Sequence, residues 1–300
     1  MLNGASVRFS GKKKIRSNQN AAGRGGKGVN VARWLRHLGG KRQLLLPLGG
    51  ETGAELAGYL RAEKLSAKIV SLCEPTRVNV VVTTAAGQQL RFNPAGPTLS
   101  RAEWSEVLKL VERSLAPARL LILSGSLPRG VPATAYAQLI RLARRFGVKT
   151  LLDCDGEALA AAVKARPFLV KPNEHELAQW RGRPLRSESA VVAAARILAG
   201  KTGGWVLVSR GAQRSLLLNK NAQLFFAEPP RVTPLNRVGA GDALLAAVAR
   251  QIELGAPPRD WLRWGIAAGG AATQCAAGGL PRRRLVEAML AQIRVGSAAV

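Results

Sequence analysis

Apolar positions set the rhythm of this chain from residue 119 onward. "RLLILSG" is followed by "TAYAQLIRLARRFG", then "VKTLLD", a short helical stretch, "FLVKPN", a helical "EHELAQWRG", a longer "SAVVAAARILAG" and "WVLVS". Unbroken apolar runs alternating with amphipathic ones predict parallel strands joined by helical crossovers, and apolarity on both strand faces predicts a sheet covered on both sides. Upstream, Val31, Trp34, Leu35 and Leu38 recur at helical spacing in "GVNVARWLRHLGG" and predict a helix that opens from a glycine turn and stops at Gly39-Gly40. Two stretches depart from this rhythm. Residues 5–22 are basic, and "TRVNVVVTTAAGQQLRFNPAGP" alternates like a hairpin with its turn near Ala86-Gly87. With no internal repeat and no low-complexity linker, the expected organisation is one α/β domain over residues 1–300, carrying a small lid built from 5–22 and 76–95.

Charge changes the picture next. The chain carries 45 Lys+Arg against 18 Asp+Glu, a formal charge of +27, and its first fifty residues include eleven basic residues and no acid. Such a balance favours anionic partners. Aromatic residues are only 5% and do not interleave with "GKKKIR" or "RRR", so a stacking platform for single strands is not indicated, and nucleic-acid binding is expected to be non-specific. No apolar stretch approaches the ~20 residues of a membrane span. Cys73, Cys154 and Cys275 are too few and too scattered for a disulfide framework or a C-x-x-C metal site, which points to the cytoplasm.

The candidate chemistry lies in two glycine clusters. In "VGAGDALLAAVARQIELG" a tight turn becomes a helix ending near Gly255, so the amides of Gly239, Ala240 and Gly241 can converge on one anion at the helix start. Asp242 would stand beside that anion. A carboxylate there is either a helix-start residue favoured by the dipole or a base that takes the proton of a hydroxyl attacking phosphorus. The other cluster, "AGRGGKGVN", satisfies G-x-G-x-x-G at Gly23, Gly25 and Gly28, with Glu51 near the distance of a ribose-binding acid. A dinucleotide fingerprint needs an apolar strand just before it, and "KKKIRSNQNAA" is not one. Nor is it a P-loop, because Gly28 follows Lys27. In "KPNEHE", Asn173 and Glu176 share a helix face, either as a cap with a surface acid or as a pair orienting hydrated magnesium. His175 has no second histidine at ligand spacing and is expected to face solvent, and His37, on the helix after the first glycine turn, is expected to be structural.

Taken in order, "GGKGVNVA", "RFNPAGP", "SGSLPRGVP", "KPNEHE", "VSRGA" and "VGAGDA" resemble the ribokinase-like, PfkB-type carbohydrate kinases over roughly residues 21–290. "SGSLPxG", the lysine before Pro-Asn and "NxVGAGD" look like the branch of 1-phosphofructokinase and tagatose-6-phosphate kinase. The resemblance implies a three-layer α/β/α sandwich with a mainly parallel central sheet and a β lid, ATP and Mg²⁺, and a homodimer through the lids. It implies ATP-dependent phosphorylation of a ketohexose phosphate of the fructose 1-phosphate, tagatose 6-phosphate or fructose 6-phosphate type. Alternatives are a kinase of an unphosphorylated sugar or nucleoside, and a non-catalytic binding protein that keeps the fold.

By the same resemblance Asp242 is the base and Gly239, Ala240 and Gly241 form the anion hole. Asn173 and Glu176 organise the metal through water and, with Lys171, Ser209 and Gly211, the nucleotide. Gly25, Gly26, Lys27, Asn30, Arg91 and Ser126 line the sugar-phosphate pocket, with Arg91 a natural partner for the phosphate. Three departures from the family pattern stand out. Arg237 replaces a small residue, and Arg214 replaces the glycine that usually ends the nucleotide turn; either is expected to narrow or recharge the nucleotide site. The third is Val7, which stands nearest the place of the relatives' sugar-gripping aspartate, with no acid before Glu51.

Overall fold

Helix and strand assignments follow the apolar pattern closely. The computed structural model describes residues 25–83, 89–221, 223–276 and 278–298; Val7, Gly23 and the lid segment 5–22 lie outside them. The first described elements are α1 (Lys27–His37), β1 (Leu44–Gly49), α2 (Gly50–Ala62) and β2 (Ala67–Leu72). β1 and β2 pair in parallel as a two-stranded sheet. β3 (Val80–Thr83) and β4 (Gln89–Phe92) form the expected antiparallel hairpin, in which Arg91 is opposite Val81.

The alternating half follows with α3 (Arg101–Leu115), β5 (Leu120–Ser124), α4 (Ala135–Arg145), β6 (Lys149–Asp153), α5 (Gly156–Val163), β7 (Leu169–Val170), α6 (Glu174–Arg181), α7 (Glu188–Thr202) and β8 (Trp205–Val208). Then come β9 (Ser215–Asn219), β10 (Leu224–Ala227), α8 (Ala240–Glu253), α9 (Pro258–Ala272), α10 (Arg283–Gln292) and β11 (Val295–Ala298). The central sheet has seven strands in the order β11-β10-β9-β8-β7-β6-β5. β5 to β8 are parallel, and β9, β10 and β11 alternate in direction at one edge, so only β9 and β11 run against the rest.

Period-two side-chain alternation divides the core into two layers. Leu152, Val170, Val206 and Leu216 pack toward α3 to α7, whereas Leu151, Leu169, Leu207 and Leu217 pack toward α1, α8, α9 and α10. Both faces are thus dry, which is why these strands read as unbroken apolar runs. α8 is buried nearly all round, from Asp242 through Ala249. Its close packing on α9 requires glycine at 265, where a Cβ would come within 2.9 Å of a Val248 methyl. The parallel strands end at the edge where their crossovers begin, the edge at which open α/β sheets bind ligands.

Candidate active site

Four consecutive strand ends supply the floor of the site. β6 ends on Asp153, whose side chain is almost wholly buried and whose Oδ1 receives two ammonium groups, Lys27 Nζ at 3.3 Å and Lys171 Nζ at 3.2 Å. Lys171 follows β7 and its amide donates to the Leu152 carbonyl at 2.9 Å, which sets its reach. Asn173 and Ser209 meet as a parallel bridge beyond β7 and β8, and Gly211 turns the chain after β8 with φ +61°. Beyond β5, the exposed Ser126 accepts a hydrogen bond from Arg77 Nη2 at 3.0 Å.

Above this floor two helix starts converge. Gly239 adopts φ +85°, a left-handed conformation that costs glycine little, and launches α8. As at any helix start, the first amides, here of Ala240, Gly241 and Asp242, have no partner within the helix and face outward as anion donors. A side chain at Gly241 would contact Lys171 Nζ at 3.5 Å, so the ammonium stands directly at this turn. From the start of α1, Asn30 Nδ2 donates to Asp242 Oδ2 at 2.8 Å. The glycine clusters, 212 positions apart in the chain, are therefore one structure.

Electrostatics single out Asp242. It is 5% exposed. Burial raises its pKa from 3.8 to about 6; the Asn30 bond opposes the rise, Asp153 adds to it, and Lys171 and Lys27 oppose it. A carboxyl poised there can take up a proton near neutral pH. For Lys27, burial pulls the ammonium down, but Asp153, then Glu176 and Asp242, outweigh it and leave the pKa above the ordinary lysine value. Two acids and two lysines thus meet at one place, buried except for the partly exposed Lys27.

Asn173 and Glu176 form a complete capping box on α6: Asn173 Oδ1 accepts from the Glu176 amide and Glu176 Oε2 accepts from the Asn173 amide, each at 2.8 Å. Arg91 lies on β4, in the hairpin rather than at the strand ends. Gly25 and Gly26 precede α1, with φ +129° at Gly25 and Gly26 as its N-cap. His175 is exposed, as expected, and pairs with Gln179, and His37 packs edge-on against Trp34.

The Arg214 guanidinium pairs with Glu188 and lies 4.6 Å from the centre of the Phe226 ring, held by that acid and that ring. Arg210, nearly buried, bonds Glu174 at 2.7 Å and Glu188 at 2.8 Å and so ties the turn after β8 to α6 and α7. Sequence reasoning missed Arg210, Arg77 and above all Asp153. The only signal for Asp153 was an acid ending an apolar strand in "VKTLLD", the usual ligand edge of such a sheet.

A sheet of this topology, with a buried carboxylate between an anion-binding helix start and two lysines, defines a phosphoryl-transfer enzyme. The comparisons agree. Residues 1–283 match the pfkB family carbohydrate kinase, and the chain belongs to that family. The ATP-dependent 6-phosphofructokinase isozyme 2 of Escherichia coli (strain K12) is 36% identical over 253 residues, covering 83% of this chain and 81% of that protein. The 1-phosphofructokinase of Bacillus subtilis (strain 168) is 32% identical over 247 residues, 82% and 80% of the two chains. The crystal structure of phosphofructokinase-2 from Escherichia coli in complex with substrates and products superposes with a TM-score of 0.85 at 32% identity, over 94% of this chain and 92% of that one. The family resemblance and the three-layer fold expected from the motifs are both met.

Proposed function

We propose that the chain transfers the terminal phosphoryl group of ATP to a hydroxyl of a phosphorylated ketohexose of the fructose 1-phosphate, tagatose 6-phosphate or fructose 6-phosphate type. One observation carries the reading: a buried carboxylate stands at a glycine-led helix start, oriented by Asn30. Asp242 accepts the proton of the attacking hydroxyl, and the amides at Gly239, Ala240 and Gly241 hold the negative charge that the transferring group carries. Lys171 adds a cation at the same turn. Asp153 positions Lys171 and Lys27 together.

Gly25, Gly26, Lys27, Asn30, Ser126 and Arg91 line the sugar-phosphate side, with the β3–β4 hairpin as the lid of a single domain. Lys171, Ser209 and Gly211 line the nucleotide side. Magnesium, when bound, neutralises phosphate charge. The residues present fit an ion held through water: Asn173 and Glu176 already satisfy each other's backbone, and among the described residues no three acids, histidines or cysteines cluster as a direct cage. Mg²⁺ typically keeps several waters and leans on substrate phosphates. Val78 and Val80 are exposed at the hairpin, which favours a homodimer through the lids. No described helix is long and apolar enough to cross a membrane, and the three cysteines are free, in keeping with a cytoplasmic enzyme.

An ATP-consumption assay over hexose phosphates, free hexoses and nucleosides tests the reading. Turnover with a ketohexose phosphate well above that with free sugars is the expected result. Equal or better turnover of a free hexose or nucleoside would move the acceptor class, and no turnover with any of them would remove the kinase reading.

A further inference from the structure

At the far ends of α1 and α8, away from their glycine starts, a cavity of about 200 Å³ opens between α8, α9 and α10. Its wall is largely apolar, with Leu38 after α1, Trp264 on α9 and Val286 on α10. Gln251 lines it and is only 7% exposed. Arg250 holds Glu253 through Nη1 at 2.8 Å, yet its Nε is buried with no partner. A buried donor normally finds a partner, because leaving it unmet forfeits the hydration it had in water. The exposed Arg283 adds a second guanidinium at the rim, 3.4 Å from Glu287, which also lines the cavity.

We propose that this cavity is a binding site for a small aromatic anion: one ring bearing a carboxylate. A dry cavity of about 150 Å³ already accepts benzene, so the volume suits a single ring seated between Trp264 and the aliphatic wall. The Gln251 amide and the arginines then meet the carboxylate, whose planar oxygens match a guanidinium fork. Gln251 and Asp242 share α8 and lie about 13 Å apart along its axis at 1.5 Å per residue, so the site is separate from the kinase centre and does not rest on it.

Calorimetric titration of the full chain with sodium benzoate tests this, with acetate lacking the ring and benzyl alcohol lacking the charge. Benzoate is expected to bind at one site, roughly tenfold or more tightly than either control, and saturating ATP should leave its titration unchanged. Gln251→Leu should lose roughly tenfold in benzoate affinity while its turnover without benzoate stays that of the parent. Gln251→Glu, nearly the same in shape, should abolish binding by setting carboxylate against carboxylate. Benzoate bound no better than acetate, displaced by ATP, or indifferent to both substitutions overturns the proposal.

Discussion

Replacing Asp242 by asparagine should stop the chemistry and strengthen the fold. Asparagine keeps an oxygen for Asn30 to bond and leaves the amides of the α8 start untouched, so ATP affinity should hardly change. The lost proton acceptor should lower kcat by about 10²–10⁴-fold. Stability should move the other way. Asp242 is pushed from 3.8 to about 6, chiefly by burial. An acid with a raised folded pKa binds its proton more tightly folded than unfolded, so the fold weakens as pH climbs from below 4 through 6. Above pH 7 the whole penalty of about 3 kcal/mol is present, and below about pH 4 it vanishes. Urea denaturation of parent and Asp242→Asn at pH 5 and pH 8 reads it directly: the variant should gain stability at both, and more at pH 8. The parent's kcat should correspondingly fall as pH drops below about 6. A variant that keeps most of its kcat, or whose stability advantage is flat with pH, would show that Asp242 is only a helix-start residue.

Other expectations follow from the same site. Arg91→Ala should weaken a phosphorylated sugar by roughly 10- to 150-fold while leaving its unphosphorylated analogue little changed, read as KM for the two; equal losses would remove the phosphate contact. Asp153→Asn should leave the buried Lys171 without its counter-charge and cost about 3–5 kcal/mol in urea denaturation, with a smaller loss for the more exposed Lys27→Met. The basic surface should bind duplex and single-stranded oligonucleotides only weakly and lose them as salt rises, checked by titration at low and physiological salt.

Long-range register separates what the sequence reveals from what it hides. α1, α8, the β3–β4 hairpin and the strand-helix rhythm to β8 were readable, because each depends on a local period and on glycine stops. β9 and β10 were not, since "SLLLN" and "LFFA" have the same composition as the parallel strands and only the ladder tells their direction. α9 was hidden by Gly265, Gly269 and Gly270, which look like breaks but admit close neighbours: Val248 at Gly265 and Pro230 at Gly270. In the site, motif residues were visible one by one, whereas Asp153 escaped notice because its partners Lys27 and Lys171 come from distant segments. The partners of Arg214 were hidden for a similar reason, since Glu188 and Phe226 reach it only in three dimensions.

The Asn30–Asp242 contact, closed across 212 positions, also fixes when this protein comes to life during synthesis. The helix holding Asn30 is translated early, with Val31, Trp34 and Leu35 on a side that α8 will cover. At ribosomal speeds of about 5–20 residues per second, that side waits roughly 10–40 s for its cover. Until then the nascent chain presents a sticky helix and an unfinished catalytic pair, so chaperones have their chance early and activity arrives only once α8 has emerged.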